Sequence, residues 1–124
     1  MSLRTPLGKV RGLGSAKDGT EHFWMQRLTA VALVPLTLWF VISVIAHIGA
    51  GYGEFVAWLS SPLSGGLMIL LLVATFYHAM LGLQVVIEDY VHTEWKKLAS
   101  LIVMRFFCIL LGVIGVLSVL KIML

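Results

Sequence analysis

A few polar side chains stand inside long apolar runs of this sequence, and their types limit the chemistry they can do. His78 lies in Thr75-Phe76-Tyr77-His78-Ala79-Met80-Leu81-Gly82, a run free of Asp, Glu, Lys and Arg from Glu54 to Glu88. As a helix, the eleven residues from His78 to Asp89 cover ~16 Å and ~1100° of rotation, within ~20° of three full turns. The imidazole is then expected near the middle of a bilayer, with Asp89 on the same face and Gly82 one turn along. A polar group at that depth needs a partner. Two pairings suit an imidazole: axial ligation of a haem iron through a neutral ring nitrogen, or a hydrogen bond to a neighbouring helix. Gly82 beside it leaves room for a flat macrocycle or for a close helix. Arg27 opens the other charge-free stretch, which runs to Glu54. At that edge a guanidinium can pair bidentately with a haem propionate or anchor to lipid phosphate. Arg27 is expected level with Asp89 and Tyr90.

The other histidines do not complete such a site. His47 lies twenty residues beyond Arg27, ~30 Å along a helix and near the opposite surface. Its depth differs from that of His78 by ~14 Å, so both cannot ligate one iron, and a bis-histidine haem would need a histidine from another chain. His47 reads as an interfacial side chain, and His22 and His92 as residues of the aqueous cytoplasmic region. One cysteine, Cys108, excludes a disulfide framework, a Cys-rich zinc site and an iron–sulfur cluster held by this chain alone. There is no H-E-x-x-H and no nucleophile–base pair. Gly12-Leu13-Gly14 follows no strand and opens no nucleotide-binding unit. The polypeptide carries no complete catalytic apparatus of its own.

The elements that must position these residues follow from composition. Of 124 residues, 60% are hydrophobic and 12% charged, and the mean hydropathy is +1.00. That balance excludes a soluble domain of this size, and disorder with it. The expected fold class is an all-α membrane protein with three transmembrane helices at about 28–50, 64–89 and 99–121, joined by connections at 51–62 and 90–98. Fifteen residues between Arg105 and Lys121 span only ~22 Å. The third helix should therefore begin before Arg105, whose guanidinium then snorkels to the interface or faces a polar pocket. Pro35 is expected to bend the first helix, and Gly65-Gly66 and Gly112/Gly115 to permit close helix approach. Trp39, Tyr77, the methionines and Cys108 read as packing.

Basic residues cluster at the N-terminus (Arg4, Lys9, Arg11, Lys17, Arg27) and after the second helix (Lys96, Lys97), and are missing from 51–62. The positive-inside rule puts the N-terminus in the cytoplasm and the C-terminus in the periplasm. Trp24 and Trp95 fit the inner aromatic belt, and Tyr52 and Trp58 the outer one. Residues 1–20 read as a flexible basic cytoplasmic segment near anionic lipid, with a mitochondrial targeting segment as the alternative, and 21–124 as the three-helix membrane domain. The net charge of +3 reflects topology, not nucleic-acid binding.

His78-Ala79-Met80-Leu81-Gly82 followed by Glu88-Asp89-Tyr90 resembles the H-A-x-x-G-x(6)-D-Y motif of the succinate dehydrogenase hydrophobic membrane anchor subunits, the D chains of complex II, in an alphaproteobacterial style. Arg27-Leu28-Thr29-Ala30 is similar to that family's R-x-T-A, and the likeness covers about residues 20–124. The resemblance implies half of a heterodimeric haem-binding helical bundle in a bacterial inner membrane, with the mitochondrial inner membrane as the alternative. Its implied partners are a cytochrome b556-type second anchor, an iron–sulfur subunit and a flavoprotein subunit carrying the FAD. His78 would be one axial ligand of haem b, the other coming from the second anchor. Arg27 would meet a haem propionate, Tyr90 would donate to a carbonyl of ubiquinone, and Asp89 would hold the polar network beside it. The connection after Tyr90, with His92 and Glu94, is longer than the enterobacterial pattern, which leaves Arg105 to the propionates, the quinone mouth or lipid. The rival readings are an anchor of a quinol:fumarate reductase and a non-redox structural or assembly protein.

Overall fold

The computed structural model describes residue 6 and residues 17–124. Of the basic segment expected over 1–20, residues 17–20 open a helix and the rest, residue 6 apart, lies outside the described residues. Four helices follow in order: α1 Lys17–Ala46, α2 Tyr52–Ser60, α3 Pro62–Tyr90 and α4 Glu94–Met123. Three of them, α1, α3 and α4, are long and apolar enough to cross a membrane, and no strand occurs among the described residues. The all-helical, three-span expectation holds.

The boundaries show local causes. Ser61 closes α2 and opens α3: its Oγ accepts from the Ser64 backbone N–H at 3.2 Å, and Pro62 occupies the first helical turn, where a missing N–H costs nothing. Val91, in extended conformation, stops α3 after Tyr90. Glu94 in the first turn of α4 and Lys121 in its last complement the helix dipole. As the spacing of Arg105 and Lys121 requires, α4 begins before Arg105. Several boundaries differ from expectation: α1 ends at Ala46, short of residue 50, and α4 opens at Glu94, ahead of residue 99. α1 starts eleven residues before residue 28, because nothing from Glu21 to Arg27 breaks a helix and its polar first turns can stand beyond the hydrocarbon. The first connection is largely a nine-residue helix, α2. Its Trp58 ring lies 5.8 Å from Trp39 and 4.9 Å from His47, pinning α2 to the end of α1. The chain stays helical through Pro35.

The spans form an open layer. α3 is central and packs against both α1 and α4, α2 lies against α3 and α4, and among the described residues α1 and α4 share no close backbone approach. Few side chains are buried, chiefly Leu59, Leu81, Met104, Cys108 and Val119, while most large apolar residues of the spans are exposed. Lipid or other protein must cover them. α3 approaches its neighbours closely at Gly65, where a Cβ would collide with the Met123 thioether and stand 2.9 Å from the Leu59 carbonyl oxygen. Met123 can swing aside, but the α2 backbone cannot. Gly65→Ala is therefore expected to destabilise this junction by roughly 1–3 kcal/mol, seen as a lower Tm of the detergent-solubilised protein. An unchanged Tm would mean that α2 is free to move.

Candidate functional site

Helical spacing brings His22, Met25 and Thr29 to one side of α1, the side that meets α3. There Thr29, 8% exposed, meets His78: Thr29 Oγ1 and His78 Nδ1 are 3.0 Å apart. The same hydroxyl lies 2.8 Å from the Met25 carbonyl oxygen and 3.0 Å from that of Gln26. A hydroxyl has one proton to give and two lone pairs. The arrangement that uses every short contact has the hydroxyl donating to the α1 carbonyls and accepting from His78 Nδ1–H. With Nδ1 carrying the proton, the lone pair of the neutral imidazole is the one on Nε2. Of the two pairings open to His78, the hydrogen bond to a neighbouring helix exists, and it leaves the second nitrogen ready to bind a metal.

His78 and Gly82 are both half-buried, and a Cβ on Gly82 would meet no atom within 4 Å, so space remains beside that glycine. Asp89 and Tyr90 are exposed at the end of α3, Tyr90 by 78%.

The register of α1 against α3 corrects one expectation. Arg27 is two residues, ~3 Å of rise, from Thr29, and so lies near the level of His78, whereas Asp89 is ~16 Å farther along α3. Arg27 is not level with Asp89 and Tyr90, because α1 continues a further ten residues past it to Lys17. The Arg27 guanidinium turns back along α1 and lies 4.7 Å from the centre of the Phe23 ring. Arg27 and His78 thus lie at similar heights, each within the candidate span of its own helix.

His47 is remote from this site. Its Nδ1 is 2.7 Å from the Ser43 carbonyl oxygen, and eighteen residues, ~27 Å of helical rise, separate it from Thr29. An intrachain histidine pair is thus excluded by a wider margin than the sequence indicated. His92 is exposed between α3 and α4. Among the described residues no cluster of three or more His, Cys, Asp or Glu is placed to hold a metal.

A second polar cluster was not foreseen as such. Arg105 Nη2 donates to Gln84 Oε1 at 3.1 Å, and Gln84 Nε2 donates to Glu88 Oε1 at 3.1 Å. Of the two fates expected for Arg105, it takes the polar pocket: with Glu21, His22 and Gln84 it lines a cavity of about 480 Å³ between α1, α3 and α4. His22 is half-buried against α3 and does not stand free at the surface. Its Nε2 is buried without a hydrogen-bond partner among the described residues. Its spacing to Met25 and Thr29 was the signal that could have found it.

Comparison with known proteins agrees with this architecture. The family described as succinate dehydrogenase/fumarate reductase transmembrane subunit matches residues 1–112. The chain is 33% identical over 108 residues to the succinate dehydrogenase hydrophobic membrane anchor subunit of Rickettsia bellii, covering 87% of this chain and 86% of the relative. It is 33% identical over 99 residues to the subunit of the same name from Paracoccus denitrificans, covering 80% and 77%. The succinate dehydrogenase membrane anchor subunit of Reclinomonas americana is 29% identical over 96 residues, covering 75% and 80%.

Proposed function

The chain belongs to the succinate dehydrogenase/fumarate reductase transmembrane subunit family as a multi-pass bacterial inner-membrane anchor subunit, and from that premise we propose that it holds haem b jointly with a second anchor and forms part of a ubiquinone-reduction site. The observation that carries the reading is the Thr29–His78 hydrogen bond. It orients the ring, favours the tautomer with the proton on Nδ1 and leaves the Nε2 lone pair, which is what a histidine ligand to iron requires. The donor set fits haem in a second way: beside the imidazole, Gly82 offers open space and no competing side chain. When bound, haem supplies a one-electron store inside the membrane.

The remaining roles fall to this chain's own side chains. Arg27, near the level of His78 with its guanidinium turned towards the Tyr90 end, pairs with a propionate. Tyr90 donates its hydroxyl proton to a quinone carbonyl oxygen, where a fixed donor stabilises developing negative charge, and Asp89 beside it orders the polar groups. Both are exposed in this chain, so the quinone site closes only against other subunits. The positive-inside pattern puts the Tyr90 end in the cytoplasm. There an iron–sulfur subunit and a flavoprotein with its FAD would deliver electrons from succinate. With one cysteine, this chain can hold neither the clusters nor that chemistry alone.

Thr29 is a positioning residue. Thr29→Val keeps the shape and removes the acceptor. Haem retention is expected to weaken roughly 10–100-fold, and the haem midpoint potential to rise because a less basic imidazole stabilises ferric iron less. Thr29→Ser is expected to restore both. A redox titration with unchanged potential in Thr29→Val would remove this role.

The experiment for the function as a whole is purification through a tag on this chain. A flavoprotein, an iron–sulfur protein and a second three-span subunit are expected with it, together with a b-type reduced-minus-oxidised spectrum and succinate:ubiquinone turnover. Turnover confined to fumarate with a low-potential menaquinol would favour the reductase reading. Absence of haem from an intact complex would favour a structural role.

A further inference from the structure

The cavity around Arg105 lies on a different side of α3 from the His78 stripe: Tyr77, Met80 and Gln84 line it, and Tyr77 is displaced ~100° around the helix from His78. Its polar wall is built from three helices, with Glu21 and His22 from α1, Gln84 from α3 and Arg105 from α4. Arg105 uses one N–H on Gln84, leaving up to four of its five donors, and the buried His22 Nε2 has no partner among the described residues. Buried polar atoms are normally paired, and this one is free to meet a polar atom of a bound molecule. Tyr77 and Met80 also line an adjoining groove of about 320 Å³ between α3 and α4, whose other walls are apolar, Val113 and Leu117 among them. Polar cavity and apolar groove together have the form of a site for an amphiphile.

The charges select the head. A guanidinium eleven residues, ~16 Å, inside the start of α4 favours phosphate oxygens, which it can bind bidentately. Glu21 on the opposite wall disfavours a head that is purely anionic and suits a cation beside the phosphate. We propose that this site binds a zwitterionic aminophospholipid. Its phosphate accepts from Arg105 and His22, its ammonium donates to Glu21, and one acyl chain lies in the α3–α4 groove. Gln84, held by Glu88, keeps the guanidinium aimed into the cavity. Its polar wall shares no side chain with the residues assigned to haem and quinone, His78, Arg27, Asp89 and Tyr90.

The test is native mass spectrometry of the detergent-solubilised complex, first as isolated and then titrated with phosphatidylethanolamine, phosphatidylcholine and phosphatidylglycerol of identical acyl chains. Phosphatidylethanolamine is expected to stay bound after bulk lipid is removed and to bind at least about tenfold tighter than the other two (roughly one hydrogen-bonded charge contact). Choline offers Glu21 no N–H donor, and glycerol offers it no cation. Arg105→Gln is expected to lose the retained lipid, and Glu21→Gln to erase the preference over phosphatidylcholine while keeping phosphate-dependent binding. Equal binding of the three lipids by the unmodified complex, full retention in Arg105→Gln, or ubiquinone in place of lipid would each overturn the proposal. If Arg105→Gln does not assemble, Glu21→Gln decides: an unchanged preference overturns it and a lost preference supports it.

Discussion

In the intact complex, His78→Ala is expected to abolish the low-spin b-type difference spectrum. An axial ligand is lost outright, so the effect should exceed the roughly 10–100-fold weakening that follows loss of an outer hydrogen-bond partner. Any haem that stays bound would be five-coordinate and high-spin, held by the second anchor's histidine alone. The competing possibility, that His78 only ties α1 to α3, leads to a different result. The one side-chain hydrogen bond His78 makes among the described residues, to Thr29, contributes about 1 kcal/mol. Its loss would lower Tm slightly and leave the spectrum intact. Haem content per flavin, measured beside the thermal midpoint, separates the two.

Tyr90→Phe is the second large effect. The substitution removes one oxygen from a residue that is 78% exposed at the last position of α3, so folding and haem should be untouched. Loss of a fixed donor at the oxygen where charge develops is expected to lower quinone reduction by about 10²-fold, in kcat more than in KM. Succinate oxidation with an artificial acceptor that bypasses quinone should continue at its normal rate. Normal ubiquinone turnover in Tyr90→Phe would show that the hydroxyl does not serve the quinone.

Much of this could be read from residue spacing. Two stretches without charge, bounded by Arg27, Glu54 and Glu88, mark two spans, because burying a charge in hydrocarbon is costly. Arg105 and Lys121 stand too close together to bound a third, which is why α4 had to begin early, as it does. The shared face of His78, Gly82 and Asp89 follows from helical periodicity alone. What periodicity does not carry is the register between helices. Arg27 was expected beside Asp89 because each closes an apolar run. One hydrogen bond, Thr29 to His78, sets the relative height of α1 and α3 and brings Arg27 instead to the level of His78. The same missing register hid the cavity of His22 and Arg105, whose residues come from opposite ends of the chain. α2 was missed because its nine residues are too few to show a period, and because a segment without lysine or arginine reads most simply as a loop.

His78 as an iron ligand is tested most directly by replacing it with a different ligand. Near-infrared magnetic circular dichroism of the oxidised complex reports the identity of both axial groups. The unmodified complex is expected to show the charge-transfer band of two imidazoles. In His78→Met that band should give way to histidine–methionine ligation or to a high-spin signal. Persistence of the bis-histidine band in His78→Met would show that the iron takes both imidazoles from elsewhere, and His78 would then be no more than a contact between α1 and α3.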